Sequence, residues 1–161
     1  MASAWPGGVT VIATGEARDD EMTERIAAHR RTRPSSWTTI EEPLDLDAAF
    51  TIAAAEDLVI LDCLTLWTAN LLEQGADDEE VVARTERAAV IAAAWPAPVI
   101  VISNEVGSGI VPMNQLARSY RDLLGIVNSR WVAHADASYL TVAGQLVRLT
   151  DPAALLGHPH A

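Results

Sequence analysis

An α/β fold with a mostly parallel sheet flanked by helices is what this sequence predicts, and three observations predict it. Short apolar runs rich in Val and Ile recur at Val9–Ala13, Leu58–Leu61 and Val99–Ile102. Longer segments with helical periodicity separate them. Each run ends in small or polar residues: Ala13-Thr14-Gly15, Asp62, and Ser103-Asn104-Glu105. Strands that are apolar on both faces belong in a sheet covered on both sides, the usual setting of parallel strands joined by helical crossovers.

The elements follow in order. Val9–Ala13 reads as a buried strand. Asp19 to Arg31 reads as a helix, with Met22, Ile26 and His29 on one face at i, i+4, i+7. Trp37 to Glu41 forms a short strand closed by Pro43, and Asp45 or Asp47 caps a helix running to Ala55. Leu58–Leu61 is the next strand, ending at Asp62, followed by helices over Leu64–Glu73 and Asp78–Ala94. Val99–Ile102 is the third buried strand. A loop with Gly107, Gly109 and Pro112 leads into a long helix from Asn114 to Ala133, in which His134 stands near the end as a structural residue. Ser138–Val142 and Leu146–Leu149 close as strands around Gly144. The chain therefore reads as one domain over 1–150 with a frayed tail over 151–161, where His158 and His160 are incidental.

Charge and composition exclude several function classes. Half of the 161 residues are apolar, which excludes a disordered chain, and the net charge of -11 argues against nucleic acid as a partner. No apolar run is long enough to span a membrane, and the start lacks the pattern of a signal peptide. Cys63 is the single cysteine, so no intramolecular disulfide can form. A soluble cytoplasmic protein is expected.

Against this acidic background one basic cluster stands out. All 11 basic residues are arginine, and Arg18, Arg25, Arg30, Arg31 and Arg33 surround His29. Guanidinium forks suit phosphate oxygens, and a histidine among them can act as nucleophile or proton carrier. A plainer reading also fits: arginines paired with Asp19, Asp20, Glu21 and Glu24 on one helix, and a histidine favoured by the helix C-terminus. Asp62 at a strand tip has the place of an acid that holds magnesium in phosphate-transfer enzymes, or of a turn residue. Glu105 beside Gly107 and Gly109 either joins the site or orders a loop.

Longer motifs carry a resemblance. Asp19-Asp20-Glu21-Met22 with Arg25-Ile26, His29-Arg30 and Arg33-Pro34 is one. Leu61-Asp62-Cys63-Leu64-Thr65-Leu66-Trp67 with Asn70-Leu71-Leu72 is a second. Ser103-Asn104-Glu105-Val106-Gly107-Ser108-Gly109-Ile110-Val111-Pro112, followed by Asn114, Arg118, Arg121-Asp122, Gly125 and Asn128, is a third. Together, over Val9 to Leu149, the chain resembles the bifunctional adenosylcobinamide kinase/adenosylcobinamide-phosphate guanylyltransferase family of cobalamin biosynthesis.

The resemblance implies a P-loop NTPase fold of the RecA-like type and two linked activities. A nucleoside triphosphate phosphorylates adenosylcobinamide. GTP then guanylylates a histidine, and the GMP passes to adenosylcobinamide phosphate. By position His29 matches the guanylylated histidine. Ala13, Thr14, Gly15, Arg30, Arg31, Thr32, Arg33, Glu41 and Asp62 match nucleotide-contacting positions, with Asp62 also facing magnesium. GTP, ATP and magnesium are the implied cofactors, adenosylcobinamide and its phosphate the substrates, and a homotrimer the implied assembly.

One part of the family pattern is absent. The family opens with a strand and a phosphate loop of the Gly-Gly-x-x-Ser-Gly-Lys-Ser type, whereas these 161 residues contain no lysine. Met1-Ala2-Ser3-Ala4-Trp5 resembles the end of the helix that follows that loop. Two explanations stand: an internal methionine taken as the start of a longer protein, or a truncated, catalytically dead binding or assembly subunit. Because the family's first strand lies inside its sheet, its loss is expected to expose strand edges and apolar surface.

Overall fold

The computed structural model describes residues 2–109 and 111–155. Its centre is a four-stranded parallel sheet formed by β1 (Val9–Ala13), β2 (Thr38–Glu41), β3 (Leu58–Asp62) and β4 (Val99–Ile102), in the order β2-β1-β3-β4. The helices are α1 (Asp20–Thr32), α2 (Leu46–Ile52), α3 (Leu64–Glu73), α4 (Asp78–Ala93) and α5 (Gln115–His134). The α/β class expected from the apolar runs is the class observed, and it is consistent with a P-loop NTPase-like fold.

Strand alternation decides where the core sits. Ile12, Val59, Leu61, Val99 and Val101 point to one face, where they meet Leu46 and Phe50 of α2, Trp67 and Leu71 of α3, Val81 and Ala88 of α4, and Leu123 and Val127 of α5. Val9, Leu58, Ile60 and Ile100 point to the other face. There they meet Ala2, Trp5 and Trp37 rather than a long helix. The covering is thus thick on one side and thin on the other. Residues Ala2–Ala4 form one 3-10 turn, where the family resemblance places the end of a helix.

Helix ends follow the local chemistry. Asp19, Asp45, Asp77 and Asn114 each cap a helix by accepting a hydrogen bond from a backbone N–H of its first turn. Asp45, not Asp47, is therefore the α2 cap. That helix ends at Ile52 rather than Ala55, with the Ala53 N–H closing it on Ala49 O.

Three further points differ from expectation. First, β3 pairs directly with β4, Val59 to Asp62 against Val99 to Ile102, so no strand edge is left open inside the sheet. Two continuous apolar strands of matched length satisfy each other's backbone groups, and the exposed edges are those of β2 and β4. Second, β5 (Tyr139–Val142) and β6 (Gln145–Arg148) form a separate antiparallel hairpin, exposed along its length, with Ala143 and Gly144 at positive φ in the turn. Third, Pro152–Leu155 make one helical turn, α6, where a frayed tail is expected. His158 and His160 lie outside the described residues. Among the described residues no helix is long and apolar enough to cross a membrane.

At the base of the sheet, away from the polar strand ends, the Thr10 hydroxyl donates to the buried Asp57 carboxylate at 2.7 Å, and Trp95 Nε1 donates to Asp57 O at 3.1 Å. Thr10→Val keeps the side-chain shape and removes that donor. It is expected to lower the unfolding free energy by about 1–3 kcal/mol. Thr39→Val on the exposed edge strand is expected to change it by less than about 0.5 kcal/mol. Urea denaturation of the two variants checks the contrast.

Candidate active site

Parallel register sets the site. Ala13 pairs with Glu41 on one side and Asp62 on the other, and Asp62 pairs with Ile102. Neighbours at one level of a parallel sheet point to the same face. Glu41, Ala13, Asp62 and Ile102 therefore form one row across the carboxyl ends of the strands, on the thinly covered face. Ala13 is the small member, leaving room between two carboxylates. Ligands of open parallel sheets bind at this edge.

The last turn of α1 lies over the row. Arg30 pairs with Glu41, Arg33 donates to Asp62 Oδ2 at 3.2 Å, and His29 Nδ1 stands 3.8 Å from the same oxygen. The helix carries acidic residues in its first turn and His29, Arg30 and Arg31 in its last, which suits the helix dipole at both ends. None of its residues is buried. The stripe of Met22 and Ile26 is only half covered, with Ile26 lying beside Gly15 and Leu66. The ion pairs of Arg30 and Arg33 add to this partial burial in seating the helix's last turn.

The predicted site residues thus separate into two groups. His29, Arg30, Arg33, Glu41 and Asp62 come together around Ala13. The His29 side chain is 67% exposed and that of Asp62 26%, so the imidazole is accessible beside a half-buried carboxylate. Arg31 is exposed and makes no ion pair among the described residues, and the Thr32 hydroxyl donates to His29 O at 2.8 Å. Glu105 turns back on its own loop, accepting from Gly107 N at 2.7 Å.

Thr14 and Gly15 face inward. The Thr14 hydroxyl donates to Cys63 O at 2.7 Å and accepts from Cys63 N at 2.8 Å, and the side chain is fully buried. Its backbone N–H donates to Asp62 O at 3.0 Å. Thr14 therefore braces the row instead of presenting its hydroxyl to a ligand. A Cβ on Gly15 would stand 3.4 Å from Leu66 and 3.6 Å from Ile26, so Gly15 is where α1 approaches α3. An open groove of about 680 Å³ continues from Glu41, lined by Gly15, Glu16, Arg18, Pro43 and Glu73.

Sequence reasoning gave no role to Asn70 or Tyr120. Buried Asn70 donates to Thr14 O at 2.7 Å and Pro43 O at 3.1 Å and accepts from Arg18 at 3.0 Å, tying three segments together. The signal was a lone amide on the apolar side of α3. On the β4 side, Thr65 and Asn104 exchange two bonds, Asn128 donates to Asn104 O at 3.1 Å, and Ser103 donates to Asn128 at 2.6 Å. The Tyr120 hydroxyl donates to Thr65 O at 2.9 Å. His134 bonds Glu86 at 2.7 Å between α5 and α4, in keeping with a structural role.

Among the described residues no group of three or more His, Cys, Asp and Glu side chains could hold a metal ion. A magnesium ion carried mainly by nucleotide phosphates asks less, one or two carboxylates, and Asp62 fits that demand.

A family model described as cobinamide kinase / cobinamide phosphate guanyltransferase matches residues 1–149. The chain belongs to this family. The bifunctional adenosylcobalamin biosynthesis protein CobU of Salmonella typhimurium is 42% identical over 154 residues, which cover 88% of this chain and 85% of that protein. The corresponding CobP of Pseudomonas aeruginosa is 39% identical over 137 residues, 84% and 79% of the two chains. The CobU of Escherichia coli is 38% identical over 154 residues, 88% and 85%. The cobinamide kinase/guanyltransferase family is thus matched along the same stretch that carries the site row.

Burial, and secondarily nearby Cys63, push the Tyr120 hydroxyl up to about 12 from its ordinary 10. A raised value means that the folded state holds the proton more tightly. The hydroxyl's contribution is complete below pH 10 and is lost as pH rises through about 12. Tyr120→Phe is expected to cost about 1 kcal/mol near neutrality. The gap between variant and wild type should narrow above pH 10, read by denaturant midpoints across pH.

Proposed function

We propose that this chain carries the nucleotidyl-transfer chemistry of its family: GTP guanylylates His29, and the GMP passes to adenosylcobinamide phosphate, after phosphorylation of adenosylcobinamide by GTP or ATP. The observation that carries the reading is His29, accessible and bracketed by Arg30 and Arg33, with Nδ1 turned towards Asp62. With its proton on Nδ1, the imidazole presents the Nε2 lone pair outward for attack on the α-phosphorus. The bond from that phosphorus to the bridging oxygen breaks, and pyrophosphate leaves with the electron pair. The imidazolium so formed keeps its Nδ1 proton beside the Asp62 carboxylate. A phosphate oxygen of adenosylcobinamide phosphate then attacks the same phosphorus, forming adenosylcobinamide-GDP and returning neutral His29.

Arg30 and Arg33, beside His29 and paired with Glu41 and Asp62, would turn to the charge that builds on the transferring group and stabilise it. Asp62 is the carboxylate that would hold magnesium with the nucleotide phosphates, the ion supplying neutralisation of their charge. The groove beside Glu41 has the volume for a base and ribose. A homo-oligomer working in the cytoplasm completes the reading.

GTP labelled in its α-phosphate is expected to label the protein at His29, with an acid-labile, alkali-stable bond, and His29→Ala should abolish the label. Equal labelling of His29→Ala would sink the assignment. Asp62→Asn is expected to lower magnesium-dependent turnover about a hundredfold or more, judged by steady-state transfer to adenosylcobinamide phosphate. Nucleotide binding with no label on His29 would instead support a second reading, a binding or assembly subunit without turnover.

A further inference from the structure

Arg18 belongs to the basic cluster by sequence, yet it is bonded to α3 and not to the carboxylate row. It stands just before Asp19, the residue that caps α1. Its Nη2 donates to Asn70 Oδ1 at 3.0 Å, its Nη1 pairs with Glu73, and its Nε donates to Glu16 at 3.0 Å. Asn70 and Glu73 share one face of the last turn of α3. One planar guanidinium fork therefore holds an amide oxygen and a carboxylate of the same helix together.

Exposed ion pairs between two mobile side chains contribute little. The Asn70 bond is of another kind. Asn70 is 4% exposed, and its amide nitrogen is committed to Thr14 O at 2.7 Å and Pro43 O at 3.1 Å. Its oxygen thus has a fixed direction, and that direction is towards Arg18. The start of α1 is tied in this way to the buried frame at the end of β1. At its other end α1 is held by Arg30 on Glu41 and Arg33 on Asp62, the two arginines that a phosphate group would draw away. The donors of Arg18 are committed to protein partners, so its hold persists when the last turn is engaged.

We propose that Arg18 is a positioning residue: its bonds to Asn70 and Glu73 anchor the start of α1 and so keep His29 in place beside Asp62 while Arg30 and Arg33 turn to the transferring phosphate. The inference rests on the proposed function for the role of His29, and adds to it a residue distant from the reacting atoms. From Asp20 to His29 the helix is a rod of about 13.5 Å. Released at its start, such a rod can tilt without unfolding, and a nucleophile misplaced by about 1 Å can cost about a hundredfold in rate. Arg18 also lines the groove beside Glu41. With its fork already used, its loss acts on rate more than on affinity.

The test compares Arg18→Met and Arg18→Lys in the full chain with Arg84→Met, which removes an arginine of like exposure paired along α4 with Glu80. The first readout is hydrogen exchange without substrate. Arg18→Met is expected to speed exchange over Asp20–Thr32 about tenfold, and Arg84→Met to leave that helix unchanged. The second is single-turnover labelling of His29 by GTP labelled in its α-phosphate. Arg18→Met should lower the rate at saturating GTP about tenfold and shift the GTP Kd by less than about threefold. Arg18→Lys keeps the charge without the fork and should fall between Arg18→Met and wild type in both readouts. If Arg18→Met shows no cooperative urea transition, Arg18→Lys carries the test. Wild-type exchange over α1 and a wild-type labelling rate in both Arg18 variants would overturn the inference. Weakened GTP binding at an unchanged saturated rate would make Arg18 a ligand contact and overturn it too. If the wild-type chain takes no label, guanylyl transfer falls, and exchange over α1 alone decides whether Arg18 is the anchor.

Discussion

Two hydrogen bonds between one hydroxyl and the backbone of one residue hold the site together. Thr14 Oγ1 gives its proton to Cys63 O and takes one from Cys63 N, with no solvent access to compete. Asp62 is the residue just before Cys63, and Thr14 N bonds its carbonyl. The ends of β1 and β3 are thereby locked at one level, and α3 begins at once from Cys63. Asn70 returns from the end of the same helix to Thr14 O, so the brace is closed by a second turn of chain. The β1–β2 and β1–β3 ladders set Asp62 level with Glu41, and the brace fixes where the chain leaves that level for α3. Buried polar networks of this kind are rigid when every member is satisfied.

The division of labour that results is chemical. The sheet supplies carboxylates at fixed separation, set by strand spacing. The helix supplies cations on long side chains, set by helical pitch. Arg30 and Arg33, separated by nearly one turn, reach Glu41 and Asp62, which are separated by one intervening strand. Arginine suits this better than lysine because a planar fork can hold a carboxylate and still face a phosphate oxygen. The same arginines therefore hold the carboxylates of the row and stand ready for an anion that competes for them.

Much of this was legible in the sequence, and the rest was hidden for definite reasons. The apolar runs located β1, β3 and β4, because strands buried on both faces leave a continuous pattern. His29 and Asp62 were legible as polar residues at the ends of elements, and the fold brings them within 3.8 Å of each other. Thr14 was not: a Thr-Gly pair after a strand reads as a ligand loop, and only a partner 49 residues away shows that the hydroxyl is already used. The half-covered face of α1 was hidden too, since a half-buried and a fully buried helix face share one apolar periodicity. Direct pairing of β3 with β4 depends on what lies between them in space, which no local pattern records.

That α1 buries none of its residues has a consequence for ionic strength. A helix seated by apolar area is indifferent to salt, whereas one seated by half-exposed ion pairs is loosened as counterions screen them, with a Debye length of about 8 Å at physiological strength. Dissolved anions such as phosphate or sulfate would act twice, by screening and by occupying the arginines outright. The helix that bears the histidine is thus tuned by the solvent, while the sheet beneath it is not.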